Sequence, residues 1–271
     1  MIERGFLSLK RRVWARCVVE LKEPLHVGAG RDPVSPIDLP VIRNASGVPI
    51  IPGSTLKGFF RSYLARLLIG YILTGERELK IGDTTIRLEP CIDSVNEKIK
   101  LEDWNKLCLL DRIFGSSGNI SLASTIKFTD AMLTSDLREE STLKRTHVKI
   151  DSKRDVAERR MLVNVEAVKE LVGGESTKFV FTIVFDELSE DFFRESNKLF
   201  YLLLLMLHKG IDAFLGGWRS RGYGHVIIKL ESIRYATVKD LIEGRDPVEV
   251  PCDQLKDWIL GSLREGCENE R

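Results

Sequence analysis

The chain lacks any Cys-x-x-Cys pair: its five cysteines, Cys17, Cys91, Cys108, Cys252 and Cys267, are scattered and odd in number. That pattern argues against a disulfide framework and a zinc site, and most of the five read as ordinary reduced residues. No run approaches the roughly 18 apolar residues of a membrane span, and Met1-Ile-Glu-Arg-Gly carries no signal-peptide pattern. A cytoplasmic protein with no membrane partner is expected. A bulk excess of charge is missing too, with 41 Lys and Arg against 40 Asp and Glu. Indiscriminate attraction to polyanions is therefore excluded as the basis of function.

The charge is unevenly spread, however. Residues 236–271 hold five basic against nine acidic side chains, while 144–160 holds seven basic ones (Lys144, Arg145, Lys149, Lys153, Arg154, Arg159 and Arg160) against Asp151, Asp155 and Glu158. A local basic arm on a near-neutral chain suits a directed polyanion contact, although a solvated charged loop has the same composition. A second feature is the segment Phe214-Leu-Gly-Gly-Trp-Arg-Ser-Arg-Gly-Tyr-Gly-His225, with four glycines and two arginines. Glycines without a Cβ allow backbone N–H groups to converge on one anion, and Arg219 and Arg221 add charge beside them. Dinucleotide and P-loops place their glycines between a strand and a following helix. Here the expected order is helix, glycines, strand, so those assignments fail on context. A helix C-cap with a tight turn would need only one or two glycines.

Residues 13–21 alternate and predict an opening strand. The stretch 25–53 holds five prolines and four glycines and reads as a loop. Ser54 is the expected N-cap of an amphipathic helix, because Leu56, Phe59, Phe60, Tyr63, Leu64, Leu67 and Leu68 follow at helical spacing. Residues 70–118 read as a lid-like insertion with a polar hairpin and a short helix over 102–114. Strands are predicted over 120–133, 179–185 and 223–233, and a helix over 192–214. Residues 135–177 form an excursion, and 236–271 an acidic C-terminal extension with a helix over 253–264. Stripped of insertions (22–53, 70–118, 135–177), residues 1–235 give the order β-α-β-β-α-β. This is an α+β, ferredoxin-like (RRM-like) fold with an antiparallel sheet and both helices on one face. The aromatic strand signature of RNA-recognition domains is absent.

Four features stand in order: the ferredoxin-like core itself, Leu25-His-Val-Gly-Ala-Gly30 after the first strand, Ile50-Ile-Pro-Gly-Ser-Thr-Leu-Lys-Gly58 opening the first helix, and the glycine-rich loop before the last strand. Together they resemble the RAMP superfamily, and more narrowly the Cas-seven backbone subunits of type III (Csm- or Cmr-type) CRISPR effector complexes. The resemblance implies that His26, Ser54, Lys57, Arg61, Gly216, Gly217, Arg219 and Arg221 face the CRISPR RNA backbone. It implies that Lys149, Arg154 and Arg160 belong to a thumb-like β-hairpin that contacts RNA and the next subunit. Met161 or Leu162 would wedge bases apart or pack inside the hairpin. Lys57 and Arg61 are i, i+4 neighbours near a helix N-terminus, a phosphate site in kind, though a solvated helix face has the same pattern.

Partners implied are CRISPR RNA, target RNA, further copies or paralogues in a helical filament, and other effector subunits. In the family, target RNA cleavage depends on an acidic residue in an Ile-Asp-x-Pro-Val-Ile context, and Ile37-Asp38-Leu39-Pro40-Val41-Ile42 matches it. Asp38 is the candidate catalytic residue, and Asp32 the second choice. A divalent metal, Mg2+ by expectation, would be bound mainly through RNA, with no protein ligand cluster. Asp38 also suits a plain turn residue of a Pro-rich loop. A non-catalytic scaffold and a standalone guide-processing ribonuclease are the alternative functions, and His147 has no identifiable partner.

Overall fold

Every second residue of the first strand, β1 (Leu9–Leu21), is buried, from Val13 through Ala15, Cys17 and Val19 to Leu21. Alternation with period two is the mark of a strand with one face on a core. The computed structural model describes residues 8–30, 37–88, 107–117, 121–134, 141–151 and 156–265, with the side chains of 149–161 outside that description. After β1 come β2 (Ile50–Ile51), the helix α1 (Gly53–Leu73), the hairpin β3 (Glu78–Ile81) and β4 (Thr84–Arg87), and the short helix α2 (Leu109–Phe114). The strands β5 (Ile126–Phe128) and β6 (Ala131–Leu133) precede the long hairpin β7 (Thr142–Asp151) and β8 (Val156–Val168). A small pair, β9 (Leu171–Val172) and β10 (Glu175–Ser176), leads to β11 (Lys178–Leu188), α3 (Asp191–Lys209), β12 (Ile211–Phe214) and β13 (His225–Thr237). The chain then runs through α4 (Val238–Glu243), β14 (Val248–Val250) and α5 (Leu255–Glu265).

In the main sheet β13, β1 and β11 lie side by side, all antiparallel, with β5 and β6 on the far edge of β11. That spatial order, last-first-third-second, is the ferredoxin-like arrangement expected from β-α-β-β-α-β. Phe179, Phe181, Ile183 and Phe185 of β11 point to one face and are buried. Against them sit Phe60 of α1, 6.2 Å from Phe181, and Phe200 of α3, stacked on Phe185 at 3.9 Å between ring centroids. Both helices therefore cover the same face, and each buried phenylalanine contributes about 1.5–3 kcal/mol.

The structure corrects three local expectations. First, the helix α3 stops at Lys209 instead of reaching 214: Gly210, at φ 95°, ends it, and 211–214 become β12, paired with β13. The glycine-rich segment thus joins two antiparallel strands. Second, Ser54 does not cap α1. The helix begins at Gly53 with no local side-chain cap, and its first N–H donates to Asp130 Oδ1 at 2.8 Å. A Cβ at Gly53 would lie 2.3 Å from the Phe128 carbonyl oxygen, so glycine is needed there for close approach. Third, Cys108 is disulfide-bonded and departs from the reduced state expected of most cysteines, whereas Cys17 and Cys252 are free thiols. The helix expected over 253–264 is present as α5, which buries Leu255, Ile259 and Leu263, and β14 pairs with β13.

Candidate functional site

The glycine-rich connection between β12 and β13 folds back onto the segment that follows β1. Gly216, at φ 80°, passes so close to His26 that a Cβ would lie 2.4 Å from the His26 carbonyl oxygen. The next amide, Gly217 N–H, donates to that oxygen at 2.9 Å. Part of the glycine content is thus explained by contact with the protein's own backbone. Trp218 is the one non-glycine residue with positive φ among the described residues (φ 59°, ψ 22°). Such a conformation persists only when its surroundings hold it. The Trp218 indole stacks on His147 of the β7–β8 hairpin (4.7 Å, 29°), and the Arg221 guanidinium lies 4.4 Å over it. His147 Nε2 is 2.7 Å from Tyr223 Oη, so His147 does have partners. Burial first, then the charges of Arg221 and Arg145, hold its pKa below the ordinary value. The hairpin and the glycine-rich loop are joined at this point.

Between that loop and α1 lies an open groove of about 630 Å³. Its α1 wall is formed by Thr55, Gly58, Phe59, Ser62, Tyr63 and Arg66, and its opposite wall by Gly28, Asp212–Gly217 and Arg219. The expected α1 residues stand elsewhere. Arg61 turns away to Asp111 Oδ1 (2.5 Å) and the Gly115 carbonyl (2.9 Å), and Ser54 is exposed on the first turn. Lys57 does not line the groove, and burial followed by the charge of Arg61 lowers its pKa. The cation that α1 gives to the groove is Arg66, which sequence reasoning missed although Gly58, Ser62 and Arg66 form an i, i+4 row. Arg219 lines the groove, and Arg221 is exposed beside it. Lys149, Arg154, Arg160 and Met161 lie outside the described side chains, and Asp32 outside the described residues; Leu162 is 60% exposed.

The third part of the site is the segment that carries Asp38. Residues 39–42 are bonded on one side to 27–29 (Ala29 N to Pro40 O, Ile42 N to Val27 O) and on the other to β8 (Leu39 N to Asn164 O, Glu166 N to Leu39 O). Asp38 Oδ2 accepts from the Asn164 N–H at 2.7 Å, which fixes a half-buried carboxylate at the base of the hairpin. His26 is buried, with Nδ1 2.6 Å from the Glu166 carbonyl oxygen; this nitrogen therefore carries the proton.

The glycine-rich loop, the groove against α1 and the inserted hairpin all lie within residues 18–227, which the model of the RAMP superfamily matches. The chain belongs to the RAMP superfamily. Among curated RAMP proteins, the CRISPR system Cms endoribonuclease Csm3 of Methanocaldococcus jannaschii is 27% identical over 256 residues, covering 92% of this chain and 91% of the relative. The protein of that name from Streptococcus thermophilus is 25% identical over 225 residues, covering 81% of this chain and 87% of the relative. Among solved structures, a chain of type III-B Cmr-beta in the apo state, seen by cryo-EM, superimposes with a TM-score of 0.54 at 16% identity. It covers 80% of this chain and 96% of the other, a likeness of fold.

Within this RAMP chain the donor set for a metal is sparse. Among the described residues no group of three or more His, Cys, Asp or Glu side chains converges to hold an ion. Asp38 offers a single half-buried carboxylate, so a divalent ion there would take most of its oxygen ligands from outside the protein, as Mg2+ commonly does. Among the described residues, no helix is long and apolar enough to cross a membrane.

Proposed function

We propose that this chain is a CRISPR RNA-binding backbone subunit of a type III CRISPR effector complex, and that in the assembled complex it cleaves complementary target RNA at Asp38. The observation that carries the reading is the placement of Asp38. Its carboxylate is tied to the base of the β7–β8 hairpin through Asn164, one hydrogen-bonded segment away from residues 27–29 and the groove beyond them. The names of the curated relatives support it, since each is called an endoribonuclease of a CRISPR system.

The guide would run along the groove, with its phosphates near Arg66, Arg219 and Arg221 and the exposed backbone of the glycine-rich loop. Contacts to phosphate and 2′-OH suit a protein that must hold any guide sequence. The aromatic pair Phe59 and Tyr63, stacked at 5.7 Å, gives the same groove a base-tolerant wall. The hairpin, anchored by Trp218 and His147, would reach the next subunit of a filament. At the target strand, the Asp38 carboxylate takes the proton of a 2′-OH, whose oxygen bonds to the adjacent phosphorus. The P–O5′ bond breaks, and the leaving oxygen takes a proton from water. A divalent ion, Mg2+, held mainly by RNA and water with one oxygen from Asp38, would neutralise charge on the scissile phosphate.

The experiment is cleavage of a complementary RNA by the assembled complex, with Asp38 intact or replaced. Asp38→Ala should reduce cleavage to background while guide retention and complex size stay unchanged. Cleavage at the original rate would refute the assignment and leave a non-catalytic scaffold.

A further inference from the structure

A buried carboxylate that is not itself at the reacting end of the site stands two residues along β8 from Asn164. Glu166 is 5% exposed and uses its backbone and both carboxylate oxygens to join three segments. Its N–H donates to the Leu39 carbonyl at 3.0 Å, and its own carbonyl receives His26 Nδ1 at 2.6 Å. Oε2 accepts from the Val41 N–H at 3.0 Å, and Oε1 from Arg43 Nη2 at 2.5 Å. Arg43 also reaches the Gly47 carbonyl at 2.9 Å, which closes the turn beyond.

An ion pair with one buried partner is weak evidence for stability, because desolvating the carboxylate offsets the attraction, and an apolar residue of similar size would often serve a core as well. What the pair supplies here is geometry. The Asp38 segment forms no helix or strand, and its place is set by backbone bonds to 27–29 on one side and, on the other, by bonds to β8: Asn164 at Asp38 and Leu39, Glu166 at Leu39, Val41 and Arg43. We propose that Glu166, acting with Arg43, is a positioning residue that sets the register of the Asp38 segment against the hairpin base and so aims the Asp38 carboxylate. This inference rests on the reading of Asp38 as the catalytic residue. Glu166 touches neither RNA nor the reacting atoms; its effect passes through Val41, Arg43 and Leu39.

The test uses the assembled complex with guide bound and measures target cleavage as separate kcat and KM. Glu166→Gln keeps an acceptor for Val41 and removes the charge opposite Arg43. It should lower kcat by between about 10- and 100-fold, the range for lost outer partners and small misplacements, with KM and guide retention unchanged. Arg43→Gln should fall by a similar factor, Arg43→Lys should recover part of it, and the double Gln variant should be no slower than the worse single one, since both break one pair. Wild-type kcat in Glu166→Gln overturns the proposal, as does a loss that appears only in KM or only in guide retention. If Glu166→Gln does not assemble, Arg43→Gln decides, because that side chain is 32% exposed and is not part of the core. Wild-type kcat there, or failure of both to assemble, makes the pair a folding element and overturns the positioning role. Activity retained by Asp38→Ala sinks the underlying reading. An inactive Asp38→Ala beside a fully active Glu166→Gln sinks only the present one.

Discussion

The helix-covered sheet and the loop cluster at the base of the β7–β8 hairpin are held together by different physics. In the sheet, Phe179, Phe181, Ile183 and Phe185 meet Phe60 and Phe200, and cohesion comes from apolar area removed from water. In the cluster, the segments around His26, Asp38, Glu166 and Gly216 touch mainly through backbone N–H and carbonyl groups and one half-buried ion pair. Apolar packing tolerates many side chains of similar size, whereas a cluster of this kind specifies positions atom by atom. Stability should therefore be concentrated in the first region and geometry in the second, and substitutions can separate the two.

The largest effect on stability is expected in the core. Phe200 is fully buried and stacked at 3.9 Å on Phe185. Phe200→Ala should lower unfolding free energy by about 3–5 kcal/mol in a denaturant titration. If the loss were below about 1 kcal/mol, the core would not be where cohesion lies. A smaller effect is expected from Gly216→Ala. It sets a Cβ 2.4 Å from the His26 carbonyl at a backbone φ of 80°, so the loop must shift and release the Gly217–His26 bond. A cost of about 1–3 kcal/mol is expected, together with weaker, still salt-dependent RNA binding. Gly222 has a similar φ of 75° but open space around its missing Cβ. Gly222→Ala should cost only about 1 kcal/mol and leave RNA affinity nearly intact. Equal effects of the two on RNA binding would mean that close approach to His26 is not what shapes the loop.

The same contrast explains what could be read from the chain. The alternation of β1, the aromatic and aliphatic spacing of α1 and the apolar run of β11 each carry a periodic signal, so the β-α-β-β-α-β order was legible. The end of α3 was not, because apolar residues resume at Ile211, Ala213 and Phe214 just past the His208-Lys209-Gly210 stop. Nor was the start of α1, whose cap is Asp130 from another strand. In the site, the matched context around Asp38 was legible, but its partner Asn164 is 126 residues away and no local pattern points to it. Lys57 and Arg61 carried the charge pattern expected of an α1 phosphate site, yet Asp111 and Gly115 draw Arg61 aside and leave the groove to Arg66. The glycine-rich loop looked like an open cradle for an anion. Gly216 and Gly224 instead answer to the protein's own carbonyls, those of His26 and Leu215.

The smallest expected effect concerns the contact between the two long-range arms, Trp218 on His147. His147 has a folded pKa below its ordinary value of 6.5, from burial and from Arg221 and Arg145, with Tyr223 Oη as its neutral partner. For a base whose folded pKa is depressed, the unfolded chain binds more protons as the pH falls, so stability rises with pH in that window. The contribution of His147 is therefore fully present above pH 6.5 and is lost as the pH drops towards the folded value. Thermal melts should show a small decrease on acidification that is absent in His147→Gln, and Trp fluorescence should report opening of the stack over the same range. On the proposed reading the bound RNA would oppose this loss, because a protonated His147 beside Arg145 and Arg221 would add a third positive charge facing the guide phosphates. Guide-loaded complex should thus lose less of the Trp218 signal on acidification than the free chain. An equal loss in both would place His147 away from the RNA path.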